Sequence, residues 1–359
     1  MFKLSQASAL DRALRIVLVL FSIILLIQGI SLLQSPSIQT QPLRTEHVND
    51  QPITPPFYAH GNTSCVPPAE DSIEIATWRK LQCAKSSPFR ESKLRLATVT
   101  AHFGEPQPHY QRALKSHMVH SLVHGTELHV MCDAMIDDLW NKPAFILSLL
   151  MEEMMKPADE RLEWIMWADR DTVILDACRP AASYLPSYFV SSGDFQKEGS
   201  SVETNIIVTE DWNGLNNGVF FLRVTQWAIQ LFAAILALRH FQPEVELPFT
   251  EQSAMEIVMK DSQFANQVQV VPQEWFNTYP KDFSDAFLTR EDEEDLDIFQ
   301  VRRGDFLVHF AGWGDKAEGI NSWAEVAEST WNVWEAGRVQ RDMSATIAWF
   351  WYEVLFGED

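Results

Sequence analysis

The chain has 359 residues, enough for one large domain or two small ones and for a core that can carry an enzyme-sized cleft. Lys and Arg number 28 against 49 Asp and Glu, a formal charge of −21, and this argues against nucleic acid as a partner because binding phosphates by counterion release needs clustered cations. The acidity reads as a solvated surface, densest at Glu291-Asp292-Glu293-Glu294-Asp295, and names no substrate.

Ile16 to Leu33 is an almost unbroken apolar stretch, interrupted by Ser22, Gln28, Gly29 and Ser31, and it is about long enough to cross a bilayer as a helix. Lys3, Arg12 and Arg15 precede it. The positive-inside rule then gives a cytoplasmic tail at 1–15, a signal anchor at 16–33 and a lumenal remainder, a single-pass type II arrangement. A cleaved signal peptide is the rival reading, though its apolar core is usually shorter and no small-x-small site follows here. A buried soluble helix would need an amphipathic period that the segment lacks.

Residues 34 to about 70 are rich in Pro, Gln, Ser and Thr without hydrophobic period, so a flexible stem is expected, running through a transitional stretch with a helical pattern at Ile73–Leu81 and ending at 92. Asn62-Thr63-Ser64 is a glycosylation sequon, usable only in a lumenal segment. Cys65, Cys83, Cys132 and Cys178 allow two bridges in three pairings, with Cys65–Cys83 the easiest loop to close; free buried thiols are the alternative.

From Leu94 short apolar runs alternate with amphipathic stretches, which predicts an α/β domain over 93–359 with helices on a mostly parallel sheet. Strands are expected at Leu94–Ala101, Glu127–Cys132, Leu162–Ala168, Val219–Arg223, Gln267–Val271 and Phe306–Phe310. Helices are expected at Tyr110–His124, Pro143–Met155, Thr225–His240 and through most of Trp323–Phe356. Trp323, Trp331 and Trp334 could stack on acceptor sugars, but core packing is the plainer account.

The third of these strands is apolar enough to be buried on both faces and ends directly in Asp169-Arg170-Asp171. Ligands of open α/β sheets gather outside the carboxyl ends of the strands. Alternation of side chains in extended backbone lets Asp169 and Asp171 face one ion while Arg170 faces away. Hard oxygen ligands with an incomplete protein shell suit Mg²⁺ or Mn²⁺ holding a diphosphate. Two solvated aspartates at a turn would look the same in isolation. His309 ends another predicted strand and offers a neutral imidazole ligand, or else a hydrogen-bonded core histidine. Asn216-Asn217-Gly218 precedes a strand, where amides can bind sugar hydroxyls and glycine lets a ligand approach the backbone; an ordinary turn has the same composition. Glu251-Gln252-Ser253 opens a helix, and functionally it brings a carboxylate and an amide to a site.

Taken in order, Trp164-Ile165-Met166-Trp167-Ala168-Asp169-Arg170-Asp171, Asp211 to Arg223, Gln226-Trp227, Glu251-Gln252-Ser253-Ala254 and His309-Phe310-Ala311-Gly312 resemble the motifs of family 34 glycosyltransferases. That family includes fungal α-1,2-galactosyltransferases, mannan α-1,6-mannosyltransferases and plant xyloglucan xylosyltransferases. The resemblance implies a GT-A type nucleotide-sugar-binding fold, a Mn²⁺-dependent donor site and transfer with retention of anomeric configuration, in a Golgi type II membrane protein. By motif position Asp169, Asp171 and His309 would bind metal; Asn216, Asn217 and Gly218 would line the donor pocket, with Asp169 and Lys316 near the phosphates; and Glu251 with Gln252 would sit at the reacting face. The implied donors are UDP-galactose or GDP-mannose and the implied acceptor a glycan or glycoprotein. Arg170 replaces a usually small residue, Thr250-Glu251 a usual acidic pair, and Trp313 a usual cysteine. A non-catalytic glycosyltransferase-like subunit of a Golgi complex is the alternative. A metal-dependent hydrolase would need a base aimed at water, which no further His or carboxylate cluster supplies.

Overall fold

The structure, a computed structural model, describes residues 56–191, 203–287, 289–291, 295–330, 332–335 and 339–357. The expected tail and anchor, the first part of the stem, the middle of the acidic run and Trp331 lie outside the described residues. Among the described residues no helix is long and apolar enough to cross a membrane.

In chain order the elements are β1 Phe57–His60, α1 Glu70–Ser86, β2 Leu96–Ala101, α2 Pro108–His124, β3 Glu127–Met131, α3 Asn141–Met155, β4 Trp164–Ala168, β5 Thr172–Ile174, α4 Pro186–Ser191, β6 Ile206–Asp211, β7 Gly214–Arg223, α5 Gln226–Phe241, α6 Glu251–Met259, β8 Val268–Val271, β9 Leu307–His309, α7 Lys316–Ser329 and α8 Ser344–Phe356. Seven of the strands form one sheet in the order β1-β3-β2-β4-β7-β6-β8, and β5 pairs with β9 apart from it. All neighbours in the large sheet run parallel except the two pairs that β7 makes, with β4 and β6. The fold is therefore α/β with a mostly parallel sheet, as the alternation of apolar runs predicts.

Period-two alternation in β4 divides the core. Ile165 and Trp167 join Val99, Phe220 and Leu222 under Phe145 and Leu149 of α3, Leu231 and Ile235 of α5, and Met255 of α6. Trp164, Met166 and Ala168 face the other way, with Phe221, Tyr184, Trp275 and Trp351. The helix ends follow local chemistry. Pro108 opens α2 and Gly125, at φ 66°, closes it; the Thr225 hydroxyl caps α5 and the Asp315 carboxylate caps α7.

Three sequence expectations change. Residues 57–60 and 70–86, expected in a stem, are part of the folded domain, because β1 pairs with β3 from Phe57↔Leu128 to His60↔Met131 and α1 packs on α2. A four-residue, half-exposed edge strand beside prolines leaves little hydrophobic pattern to read. The cysteines pair as Cys65–Cys132 and Cys83–Cys178, across Cα distances of 5.2 and 5.1 Å. Loop-closure entropy grows only slowly with length, so tertiary proximity overrides the shorter loop. Asn216-Asn217-Gly218 lies inside β7 and not before it, since the strand begins at Gly214 and pairs with a β6 that the sequence reading lacked. The C-terminal stretch holds two helices, α7 and α8, and the described residues between them are not helical. Trp323 is 3% exposed and packs in the core, and the Trp334 indole donates to Asp176 Oδ2 at 2.8 Å.

Candidate active site

Strand β4 ends opposite Val219, and the next amide, Asp169 N, donates to Gly218 O at 2.8 Å. Thr172 then turns the chain, its N and Oγ1 both donating to Asp169 O at 3.1 and 2.7 Å. The chain emerges as β5, in antiparallel register Thr172↔His309 with β9, while Phe310 N donates to Asp171 O at 3.0 Å. This register brings His309 to Asp171: Nε2 lies 3.5 Å from Oδ1. One ligand atom each from Asp169, Asp171 and His309 falls within 4.8 Å of the others, a set that could hold a metal ion. Gly218 lies against the imidazole.

Two lysines enter this acidic centre. Lys142, in the first turn of α3, places Nζ 3.0 Å from Asp169 Oδ1 and 3.4 Å from Glu251 Oε1, and it donates to Asn217 Oδ1 at 2.9 Å. Burial alone would lower its pKa, but the Asp169 and Glu251 carboxylates outweigh that and hold it above the usual lysine value. Trp167 Nε1 also donates to Asp169 Oδ1, at 2.7 Å. Lys316, at the start of α7, hydrogen-bonds Asp171 Oδ2 and donates to Phe310 O at 2.7 Å. Burial pushes the Asp171 carboxyl up, while His309, when its ring is protonated, and Lys316 more than offset this and hold it well below the carboxylate range. Burial pushes Glu251 up, Lys142 opposing it, and Glu251 Oε2 is buried without a hydrogen-bond partner among the described residues.

These groups border a cavity of about 510 Å³, into whose wall Asp169, Asp171, Asn217, Glu251, Gln252 and Lys316 all enter. Gln252 Oε1 accepts from Asn217 N at 3.1 Å, so its amide group is held against β7. The two non-glycine residues with positive φ among the described residues, Asp138 at 49° and Thr250 at 52°, both border the cavity. A β-branched threonine there is strained, a condition that clusters at functional sites. Arg170 turns from the carboxylates to lie with its guanidinium 4.3 Å over the Tyr110 ring, while still bordering the cavity.

Six of the sequence-predicted residues thus meet at one cavity, with His309 beside Asp171. Asn216 and Gly218 are elsewhere: both lie within β7 outside the cavity wall, and Asn216 is tied to buried polar groups behind His309. Lys142, Trp167 and Asn277 were not foreseen. Lys142 carried one signal, a cation at a helix start, where the dipole disfavours positive charge.

A family model described as the galactosyl transferase GMA12/MNN10 family matches residues 189–318. The resemblance read from the motifs is borne out by this match, whose span holds Asn216, Asn217, Gly218, Glu251, Gln252, His309 and Lys316 and begins after Asp169 and Asp171. The chain is 26% identical to the α-1,2-galactosyltransferase of Schizosaccharomyces pombe, across 46% of this chain and 44% of that protein. It is likewise 26% identical to the probable xyloglucan 6-xylosyltransferase 1 of Oryza sativa subsp. indica, across 45% of this chain and 37% of that protein. The match spans less than half the length of these curated relatives. Among solved structures, a glycosyltransferase involved in glycosylation of the major capsid of PBCV-1 aligns with a TM-score of 0.45 and 12% identity, over 63% of this chain and 98% of that one.

Proposed function

We propose that the protein is a retaining hexosyltransferase that moves a sugar from UDP-galactose or GDP-mannose to a glycan or glycoprotein, with Mn²⁺ or Mg²⁺ held by Asp169, Asp171 and His309. The observation that carries this reading is the convergence of that ligand set with Lys142, Glu251 and Gln252 at one cavity. Two oxygen donors and one imidazole nitrogen fit a divalent ion of intermediate hardness, with His309 Nε2 3.5 Å from Asp171 Oδ1. When bound, the ion would supply Lewis-acid neutralisation of the departing nucleoside diphosphate.

The remaining roles belong to the chain's own groups. Lys142, cationic and fixed by Asn217 and Asp169, can donate a hydrogen bond to a diphosphate oxygen. Gln252, held by the Asn217 amide, turns a dipole toward the cavity, and the unbonded Glu251 Oε2 is a carboxylate oxygen available to positive charge developing on a sugar ring. The two disulfides accord with an oxidising lumen, the compartment expected of a type II Golgi enzyme.

One observation favours the non-catalytic alternative: each aspartate already pairs with a lysine without an ion. The test is the full chain in detergent, incubated with Mn²⁺ and a panel of nucleotide-sugars and assayed for released nucleoside diphosphate beside an Asp169→Ala/Asp171→Ala variant. Turnover of one donor, abolished by chelator and by the variant, is expected. No turnover together with no Mn²⁺-dependent binding of UDP or GDP would leave the non-catalytic reading in its place.

A further inference from the structure

His309 Nδ1 lies 2.8 Å from Asn277 Oδ1. Behind that contact is a chain of buried amides. Asn277 Nδ2 donates to Asn216 Oδ1 at 2.9 Å and to Thr209 Oγ1 at 2.8 Å. Asn216 Oδ1 also accepts from Gly218 N at 3.0 Å, while Asn216 Nδ2 donates to Asp211 Oδ2 at 3.1 Å and to Tyr279 Oη at 2.6 Å. Tyr279 Oη in turn donates to Asp211 Oδ2 at 2.6 Å. Asn277 is 0% exposed, His309 3% and Asn216 6%, so water cannot substitute for a missing partner.

The two ends of this chain have no choice of role. A backbone N–H, Gly218 N, can only donate, so the Asn216 atom facing it must be oxygen. A carboxylate, Asp211, can only accept, so the Asn216 atom facing it must be nitrogen. Asn216 is thereby oriented, its oxygen faces Asn277, and the Asn277 atom that meets it must be nitrogen. That turns Asn277 Oδ1 toward the imidazole, and Nδ1 has to carry the proton.

We infer that Asn216 and Asn277 act as positioning residues that fix the neutral ring of His309 as the Nδ1–H tautomer, so that Nε2, the nitrogen beside Asp171, is the one free to bind a metal ion. The chain transmits the orientation set by Gly218 and Asp211 in the β6–β7 hairpin to a side chain on β9, so the hairpin does more than line a donor pocket. A shift in the β6–β7 register between Ile207 and Thr209 accompanies the arrangement, with Thr209 and Asn216 paired directly across it. A histidine ligand needs one nitrogen unprotonated, and the partner of the other nitrogen decides which. The inference has a consequence for the metal reading and rests on it only there; the tautomer itself is a property of the chain alone.

The experiment is ¹⁵N NMR of the full chain labelled at histidine, with His309→Gln to assign the signal, in metal-free buffer. With the pH raised until the ring is neutral, the expected spectrum gives His309 a protonated Nδ1 and a bare Nε2; a bare Nδ1 with a protonated Nε2 overturns the inference. In Asn277→Leu the preference is lost, and Mn²⁺ affinity read by electron paramagnetic resonance falls by about 10- to 100-fold. Should that variant fail to fold, Tyr279→Phe, which keeps the ring and removes one partner of Asn216, is expected to shift the tautomer ratio partway; an unchanged ratio there counts against the relay. If the wild-type chain binds no Mn²⁺, the metal reading fails, and the nitrogen shifts still decide the tautomer.

Discussion

Gly218 and His309 are in such close contact that a Cβ on the glycine would fall 2.1 Å from His309 Cε1. The glycine is required by this ring, not by a turn. Gly218→Ala must therefore push the imidazole off Asp171 or open the β4–β7 pairing, at a cost of about 1–3 kcal/mol for overpacking. A lower thermal midpoint together with Mn²⁺ binding weakened by at least about tenfold is the expected result. Native Mn²⁺ affinity in a destabilised Gly218→Ala chain would mean that His309 is not a ligand.

Lys142→Ala separates two effects of one cation. Removing Nζ leaves Asp169 and Glu251 facing each other while mostly buried, and breaking such a pair costs about 3–5 kcal/mol. It also removes a competitor for Asp169. Mn²⁺ alone is expected to bind the variant more tightly than wild type and to restore part of its lost thermal stability, whereas UDP or GDP in saturating Mn²⁺ binds at least about tenfold more weakly, as loss of one charge-assisted hydrogen bond implies. Calorimetric titration of ion and nucleotide separately reads both signs. Equal weakening of both would make Lys142 a structural prop.

The difference between what was legible in the sequence and what was not follows from the range of the interactions involved. Strand β4 and Asp169-Arg170-Asp171 were legible because a strand buried on both faces is a continuous apolar run that stops where the site begins. Helices α2, α3 and α5 were legible through length and end signals. Strand β5 has three residues, too few for a period, and β7 begins with Asn and Gly residues that are poor strand formers but are held by β6 and by Asn216's own bond to Gly218 N. Lys142 and Asn277 escaped notice because their partners come from remote elements: a lysine near a proline or an asparagine in a loop announces nothing until α3 meets β4 and β9 meets the segment at Asn277. Cys83 met Cys178 for the same reason.

The Cys83–Cys178 bridge ties α1 to the segment after β5, and Arg79 of α1 adds hydrogen bonds to Ala327 O of α7 and, at 2.9 Å, to Thr330 O just past its end. Cys83→Ala/Cys178→Ala is expected to cost about 2–5 kcal/mol. The loss should concentrate in α1, seen as faster amide exchange over 70–86, while the proposed metal site on the β4 and β9 side keeps its Mn²⁺ affinity. Uniform exchange across the sheet would show instead that the bridge stabilises the domain as a whole.

Asp305, just before β9, gives the stability a pH dependence of defined sign. Burial pushes its carboxyl up to about 7 against the opposing pull of Arg341, whose Nε lies 3.0 Å from Oδ1, and Arg302 N donates to Oδ2 at 2.7 Å. The unfolded chain has this group near its ordinary value of about 3.9, so between that value and about 7 the folded state binds more protons than the unfolded state. Stability contributed by the neutral form is fully present below the lower value and is lost as pH rises toward the upper one. Asp305→Asn keeps an oxygen for Arg302 N and cannot ionise. Urea denaturation from about pH 4.5 to about pH 7.5 should show the wild type losing stability relative to Asp305→Asn as pH rises, the gap levelling above about 7. Two parallel curves would mean that Asp305 is ionised in the fold throughout, paired with Arg341.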